Sequence, residues 1–187
     1  MTRLFSFYPG PIGNTTPSKH IGILDIYHLI KGGDYERTIN NIRNQRSKEA
    51  KRMLKTKNLD FVTFSGTFHK RSKSGLFTHS GMICFDFDNF RDSSEVLAAK
   101  EALLKENELQ TELLFTSPSG LGLKWVVSDE RINQDTHEKF FVAISAMLKA
   151  RYNLEVDQSG KDISRACFLS HDPFAYINLK YLDHDIK

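Results

Sequence analysis

The sequence has little cysteine, a single tryptophan and no long apolar run. Cys84 and Cys167 lie far apart and lack the close spacing of metal-binding cysteines, so we expect two free thiols in a reducing compartment. No stretch reaches the roughly 18 consecutive apolar residues of a membrane-spanning helix. The first residues also lack the apolar stretch and the cleavage site of a secretory signal. These absences predict a cytoplasmic protein without a membrane partner.

What the chain does contain fits one globular domain with a full core. It has 187 residues, of which 40% are hydrophobic and 26% are charged. Its 14 phenylalanines favour a core built largely on β-sheet. The net charge of +3 is compatible with a nucleic-acid partner but does not require one.

Basic residues are concentrated in two places. The segment 43–57 is dense in lysine and arginine, and a second cluster at 70–73 opens with Lys70 and Arg71. Within the first segment, four side chains follow the spacing i, i+3, i+4, i+7 and therefore share one face of a helix: Lys48, Lys51, Arg52 and Lys55. For one helix alone, a solvated face explains such a pattern. Beside a phosphate-binding site, contact of both clusters with a nucleic-acid backbone explains it better.

The order of predicted elements favours an α+β fold. Residues 1–34 are rich in turn formers and are predicted to be an N-terminal arm, with a short helix over 25–30, packed on a single domain spanning 35–187. The predicted elements of that domain are a helix at 35–56, strands at 60–68 and 82–88, a helix at 94–106, strands at 112–116 and 121–127, a helix at 135–152, and strands at 166–170 and 175–182. From residue 82 the order is the split β-α-β-β-α-β arrangement of ferredoxin-like and RRM-like sheets, with both helices on one face. The preceding helix and strand would extend this core.

Strand alternation then places several polar side chains together. In a split sheet the first and third strands are neighbours, and successive side chains point to opposite faces. The apolar residues of strand 82–88 would point into the helix layer, which leaves Asp86 and Asp88 on the other face. The same alternation puts Lys124 there. We therefore expect two acids and a lysine on a sheet face that nothing covers.

The sharpest chemical signal is Asp86-Phe87-Asp88. Two carboxylates at i and i+2 repel each other unless a cation bridges them. Such oxygen ligands suit Mg²⁺ or Mn²⁺, which leave positions open for phosphate oxygens. An Asp-x-Asp pair is common by chance, but a structural role is hard to justify at the end of a buried strand. We therefore interpret the pair as a metal site.

Two further segments carry groups that suit phosphate. The turn from Ser117 to Lys124 is rich in serine and glycine, so its N–H groups and hydroxyls can cradle a phosphate, with a plain hairpin turn as the alternative. In the segment 157–165, Asp157 offers a third metal carboxylate, Asp162 is an alternative ligand, and Arg165 offers a bidentate phosphate contact. A solvated polar loop is the other interpretation of that segment. His171 lies in a predicted turn, from which it could also reach a triphosphate.

These motifs also carry a family resemblance. The strand ending in Asp86-Phe87-Asp88, the turn Ser119-Gly120-Leu121-Gly122 and the later Asp157 with Ser164-Arg165 resemble the three motifs of the archaeo-eukaryotic primase superfamily. More narrowly, four segments resemble the VirE N-terminal domain family: Phe64-Ser65-Gly66-Thr67-Phe68, His79-Ser80-Gly81, Phe115-Thr116-Ser117-Pro118-Ser119-Gly120 and Phe168-Leu169-Ser170-His171-Asp172-Pro173. Those domains are primase-polymerase-like, occur in bacterial mobile elements and phages, and are often fused to a helicase-like region.

The resemblance implies a role for each matching residue. Asp86, Asp88 and Asp157 would be the catalytic metal carboxylates. The phosphates of an incoming nucleotide would be bound by residues of the turn and by the later arginine, namely Ser119, Gly120, Gly122 and Arg165. Lys124 stands where the superfamily usually has a histidine, and a lysine can also bind phosphate.

Three functions are compatible with these residues. The first is template-dependent nucleotidyl transfer by a replication or mobile-element protein, with Mg²⁺ or Mn²⁺, nucleoside triphosphates, a single-stranded DNA template and a helicase-like partner domain. The second is a catalytically inactive nucleic-acid-binding module of the same fold, which the lysine in the histidine position motivates. The third is an aspartyl-phosphate phosphatase. Such enzymes need Thr or Val two residues after the second Asp, where this chain has Phe90.

Overall fold

The structure, a computed structural model, describes residues 3–88 and 90–182. Within these residues the strands are β1 (Leu4–Tyr8), β2 (Lys19–Gly22), β3 (Phe61–Thr63), β4 (Gly66–Phe68), β5 (Leu76–His79), β6 (Met82–Phe87), β7 (Gln110–Thr116), β8 (Leu123–Ser128), β9 (Cys167–Phe168) and β10 (Tyr176–Ile177). The helices are α1 (Ile23–Lys31), α2 (Glu36–Arg43), α3 (Lys48–Asn58), α4 (Ser93–Leu104) and α5 (His137–Tyr152). This mixture of helices and antiparallel sheets confirms the predicted α+β class. No helix in the described ranges is long and apolar enough to cross a lipid bilayer.

The central sheet carries the acidic motif and has the strand order β10-β7-β8-β6. β8 pairs antiparallel with both β6 and β7, so the first and third strands of the predicted unit are neighbours, as expected. Helices α4 and α5 both lie on one face, where Phe85, Trp125 and Phe141 belong to one apolar cluster. The rings of Phe85 and Phe141 stack with their centroids 5.1 Å apart. This helix layer fixes which side of β6 the aspartates occupy.

The opposite face of the central sheet is also covered, which corrects the expectation of an open face. A second sheet, in the order β2-β1-β3-β9, packs on it together with α1. Met82, Phe115 and Val126 belong to the cluster on this face and are apolar, so both faces of the central sheet have to be buried. The covering layer supplies Phe5 and Phe64, whose rings meet edge to face with centroids 5.4 Å apart.

The N-terminal segment contributes β1, β2 and α1 to this covering layer. β1 takes an inner position between β2 and β3, with Phe7 opposite Val62 in the register of the second pair. The predicted short helix over 25–30 is confirmed as α1, which buries Ile26 and Ile30 completely. Because these residues share one apolar cluster with the central sheet, the segment helps to hold the central strands in place.

Two predicted elements are broken in the structure. The predicted helix over 35–56 is two helices, because Ser47 starts a new one: its hydroxyl accepts a hydrogen bond from the Ala50 N–H at 3.0 Å. The predicted strand over 60–68 is divided between β3 and β4, which lie in different sheets. Gly66 stands at this break with a φ of 149°, and a Cβ there would lie 2.0 Å from the carbonyl oxygen of Thr78.

The C-terminal strands are also rearranged. β9, which was expected in the central sheet, pairs with β3 of the second sheet, and β10 pairs with β7 at the far edge. The position beside β6 belongs instead to the segment around Asp157, whose N–H donates to the carbonyl oxygen of Asp86 at 2.9 Å. The paired strands are only two residues long, and side-chain alternation cannot identify the partner of so short a strand.

Candidate metal and phosphate site

Three aspartates meet at the carboxyl end of β6. One carboxylate oxygen from each of Asp86, Asp88 and Asp157 lies within 4.8 Å of the other two. Asp86 belongs to β6, Asp88 follows the strand directly, and the backbone bond from Asp157 to Asp86 holds the third acid beside them. The structure therefore brings together the three residues that the sequence predicted as metal ligands.

Hydrogen bonds orient the Asp157 carboxylate. Asp157 precedes the 3-10 turn Gln158–Lys161 and accepts bonds from the N–H and the hydroxyl of Ser159, at 3.0 and 2.7 Å. Arg165, which is half exposed, donates to the same carboxylate at 3.0 Å. Burial raises the pKa of Asp157, but the bonds from Ser159 and the charge of Arg165 bring it below its ordinary value. The alternative ligand, Asp162, instead accepts hydrogen bonds within its own loop.

Lys124 lies opposite Asp86 in the register of β6 and β8, and its ammonium forms an ion pair with Asp86 Oδ2. Only 10% of the lysine side chain and 16% of the aspartate side chain are exposed. Burial lowers the pKa of Lys124, but the Asp86 carboxylate together with Cys167 and Cys84 outweighs this, so the pKa lies above its ordinary value and the ammonium stays charged. The other oxygen, Asp86 Oδ1, is buried and has no hydrogen-bond partner among the described residues. One oxygen of Asp86 is thus neutralised, and the other is left for a further donor or a cation.

Asp88 bears the electrostatic repulsion of the cluster. Its pKa lies above the ordinary value because the surrounding residues partly desolvate the carboxyl and because Asp86 is close, while Lys124 and Lys55 act in the opposite direction. A cation between the carboxylates would favour their ionised forms and remove this repulsion.

Helix α3 brings a second lysine to the acids. Burial and the charge of Lys124 lower the pKa of Lys55, whereas Asp88 and Asp86 raise it. The charge of Lys55 therefore acts on the same acids as that of Lys124, and we count this residue among the basic groups around the cluster. The other basic residues of the predicted helical face are exposed or half-buried along α3: Lys48, Lys51 and Arg52.

The serine- and glycine-rich turn lies against the acidic cluster. A Cβ on Gly122 would lie 2.5 Å from the carbonyl oxygen of Phe87 and 3.0 Å from Asp88 Oδ1, so only glycine permits this approach. Inside the turn, the N–H of Ser117 donates to Gly122 O at 2.9 Å and the N–H of Gly120 donates to Ser117 O at 3.0 Å. These two N–H groups are therefore not free to cradle a phosphate, contrary to expectation. The hydroxyls of Ser117 and Ser119 lie 2.9 Å apart and bond to each other.

Arg43 holds this turn in place, a role that the sequence did not predict. Its Nη2 donates to the carbonyl oxygens of Ser117 and His171, at 3.5 and 3.0 Å. The His171 ring is bonded in turn to the carbonyl oxygen of Gly32, with Nδ1 at 2.8 Å. The structure therefore places His171 in a structural contact, and its role in triphosphate binding stays a prediction. Arg43 lies in the basic segment of the sequence, which is the only signal that could have drawn attention to it.

The second basic cluster is divided between two roles. The Arg71 guanidinium donates to the carbonyl oxygen of Ile12 at 2.8 Å and lies over the Phe61 ring, 5.2 Å from its centroid. Arg71 thus pins the N-terminal segment, whereas Lys70 is exposed. Of this pair, Lys70 is the residue that remains available to a nucleic-acid backbone.

Two histidines contact each other near a small cavity that Asp86 also lines. The Gly81 N–H donates to His79 Nδ1 at 3.0 Å, so neutral His79 carries its proton on Nε2 and donates to His137 Nδ1 at 3.1 Å. The proton of His137 is then on Nε2, which is a buried atom. His137 and Asp86 both line a cavity of about 30 Å³. The free thiols of Cys84 and Cys167 line it as well, with their sulfur atoms 3.8 Å apart.

A much larger cleft, of about 660 Å³, opens beside the acidic cluster. Asp88 and Asp157 contribute to its lining, and the rest comes from Phe90, from α4, from the end of α5 and from the segment that follows α5. Residues of elements distant in the chain form this cleft, and no local pattern in the sequence indicates it.

Fold and site together define an α+β domain with a carboxylate cluster beside a basic helix. Residues 53–177 match the family described as BT4734-like, N-terminal domain. The match covers more than half of the chain, and the chain therefore belongs to that family. No curated protein and no solved structure matches the chain.

This membership corrects the resemblance drawn from the sequence motifs. The matched family is distinct from the VirE N-terminal domains, so assignment to the latter is wrong, and the comparisons lend no support to the archaeo-eukaryotic primase superfamily. Short pieces such as an Asp-x-Asp strand end or a serine-glycine turn recur in unrelated sheets, which explains the error. The roles of the site residues therefore have to rest on their geometry. The expected helicase-like partner and mobile-element origin lose their basis and stay predictions.

Proposed function

We propose that this chain is a divalent-metal-dependent nucleotidyltransferase domain that uses nucleoside triphosphates on a single-stranded DNA template. The observation that carries the proposal is the cluster of three aspartates, in which Asp86 Oδ1 is buried without a partner among the described residues. The donors are all carboxylate oxygens, which fit Mg²⁺ or Mn²⁺ better than the softer metals that prefer thiolate or imidazole.

The residues of the chain have separate tasks in this proposal. A divalent ion bound at the cluster would supply activation of a 3′-hydroxyl and charge neutralisation at the leaving pyrophosphate. Lys124 holds the Asp86 carboxylate in place through Oδ2. Lys55 and Arg165 supply positive charge for the triphosphate, and the exposed basic residues of α3 supply it for the template backbone.

One observation favours a second candidate, a nucleic-acid-binding module without catalysis. The Lys124 ammonium already neutralises part of the charge of Asp86, which leaves less charge for a metal than three free carboxylates would. Under this candidate, α3 still binds nucleic acid through ion pairs with phosphates. Arg52→Gln is then expected to lower the salt dependence of DNA binding by about one released ion. Lys139→Gln, at an exposed position on α5, is the matched control and should leave the salt dependence unchanged.

A primer-extension assay with Mg²⁺ or Mn²⁺ separates the two candidates. Asp88→Asn is the test variant, because Asp88 is exposed and its substitution leaves the Lys124–Asp86 pair intact. Loss of one ligand carboxylate is expected to reduce nucleotide incorporation by about a hundredfold or more. Asp135→Asn, at an exposed position before α5, should retain the wild-type rate. Equal incorporation by wild type and Asp88→Asn contradicts the catalytic proposal, and DNA binding without any incorporation favours the binding module.

A further inference from the structure

We infer that the cleft beside the acidic cluster binds the base and ribose of a nucleotide whose phosphates lie at the opposite, basic side of the three aspartates. This inference rests on the proposed function and deepens it, because it assigns the two ends of the substrate to two different surfaces. The cleft measures about 660 Å³, within the range of roughly 300–1,000 Å³ that is usual for small-molecule sites. Asp88 and Asp157 belong both to its lining and to the carboxylate cluster, so a ligand in the cleft lies next to the metal site.

The charges around the cluster are distributed unevenly. Among the described residues, the charged side chains that line the cleft are all acidic: Asp88, Glu95, Glu155 and Asp157. Lys124, whose ammonium is paired with Asp86, stands outside this lining, and so does Lys55 of α3. The lining offers a triphosphate no cation among the described residues, whereas the lysines outside it attract the phosphates. The part of the ligand that enters the cleft is therefore uncharged.

The chemistry of the lining fits a nucleoside. Phe90 offers an aromatic ring on which a base can stack, and Ala98 and Ala102 leave room for a flat ring because their side chains are small. Carboxylates accept hydrogen bonds from the amino groups of bases and from ribose hydroxyls. Glu95 and Glu155 are themselves held in place by ion pairs, to Arg91 at 3.1 Å and to Lys149 at 2.7 Å.

A bulky side chain in the cleft should weaken binding of the nucleoside and leave binding of the phosphates unchanged. Ala98→Trp places a large ring in the lining at an exposed position of α4, where the helix can accept it. Leu97→Trp is the matched control, since Leu97 is the preceding residue, is 60% exposed and does not contribute to the lining. Titration calorimetry with Mg²⁺ compares three probes, namely ATP, dATP and inorganic tripolyphosphate. Circular dichroism checks that both variants fold.

For Ala98→Trp we expect affinity for ATP and dATP to fall by about tenfold or more, with affinity for tripolyphosphate unchanged. Leu97→Trp should bind all three probes as the wild type does. Nucleotide binding by Ala98→Trp at wild-type strength overturns the inference while leaving the proposed function in place. Equal affinity of the wild type for nucleotides and tripolyphosphate overturns it as well. A wild type that binds none of the three probes with Mg²⁺ overturns the proposed function and the inference together.

Discussion

Lys124 and Asp86 face each other across two neighbouring strands and form an ion pair that is almost fully buried. The pair has two consequences. It supplies counter-charge to one acid of a crowded cluster, and it occupies only Oδ2, so that Oδ1 of the same carboxylate remains unpaired among the residues described. The lysine thus positions a carboxylate that the proposed function assigns to a metal.

Removing this lysine alone is expected to destabilise the fold. Lys124→Met leaves Asp86 buried without its counter-charge, and breaking a buried pair in this way costs about 3–5 kcal/mol of unfolding free energy. The double variant Asp86→Asn/Lys124→Met removes both charges and should recover most of the loss. Because a divalent cation can replace the missing charge, Mg²⁺ should stabilise Lys124→Met more than the double variant. Urea unfolding measures these three effects, and a Lys124→Met protein as stable as the wild type would be incompatible with this account.

The approach of the serine-glycine turn to the cluster predicts a second effect. In Gly122→Ala the new Cβ would lie 2.5 Å from the carbonyl oxygen of Phe87, so the turn has to move away from Asp88. We expect a loss of about 1–3 kcal/mol in unfolding free energy, the usual cost of overpacking. In the control Gly13→Ala the added Cβ meets no atom within 4 Å. Thermal unfolding compares the two variants, and an equal melting temperature for both would argue against a close contact at Gly122.

Stability is expected to fall on acidification because of His79. Burial, together with the neighbouring His137, lowers the pKa of His79 from 6.5 to about 4. Between these values the unfolded chain binds more protons than the folded one, so the free energy of unfolding decreases as the pH falls through this window. Above pH 6.5 the contribution of His79 is fully present and constant.

Urea unfolding at several pH values measures this profile. His79→Gln should flatten it, because the group that takes up the proton in the unfolded chain is gone. His28→Gln, at an exposed position on α1, is the control and should keep the wild-type slope. If the slope of His79→Gln equals that of the wild type, the partly buried histidine pair does not set the pH dependence.

The sequence predicts the core of the site better than its surroundings, for a physical reason. Alternation along β6 and β8 is a local property, and it suffices to place Lys124 on the same sheet face as Asp86. The layer that covers the other face of the central sheet depends on the pairing of β1 with β3. This pairing joins residues far apart in the chain, so the sequence of neither strand alone indicates it. The contact of His79 with His137 and the lining of the large cleft arise in the same way, from packing between distant elements.

Motif spacing has a similar limit. The position of Asp157 as a third ligand agrees with the cluster in the structure. The segment around Asp157 lies beside β6, although the sequence predicts the strand 166–170 at that edge of the sheet. The family resemblance drawn from the same motifs is wrong, because short motifs report the chemistry of a strand end or a turn but not common descent.

The most direct test of the central claim is a crystal structure of the wild-type protein grown with Mn²⁺ and a nucleoside triphosphate, with anomalous scattering used to locate the metal. The account predicts an anomalous peak in contact with carboxylate oxygens of Asp86, Asp88 and Asp157, and its loss in Asp88→Asn. No peak among the three carboxylates at saturating Mn²⁺, or a peak elsewhere in the molecule alone, would contradict the metal site and the proposed catalysis with it.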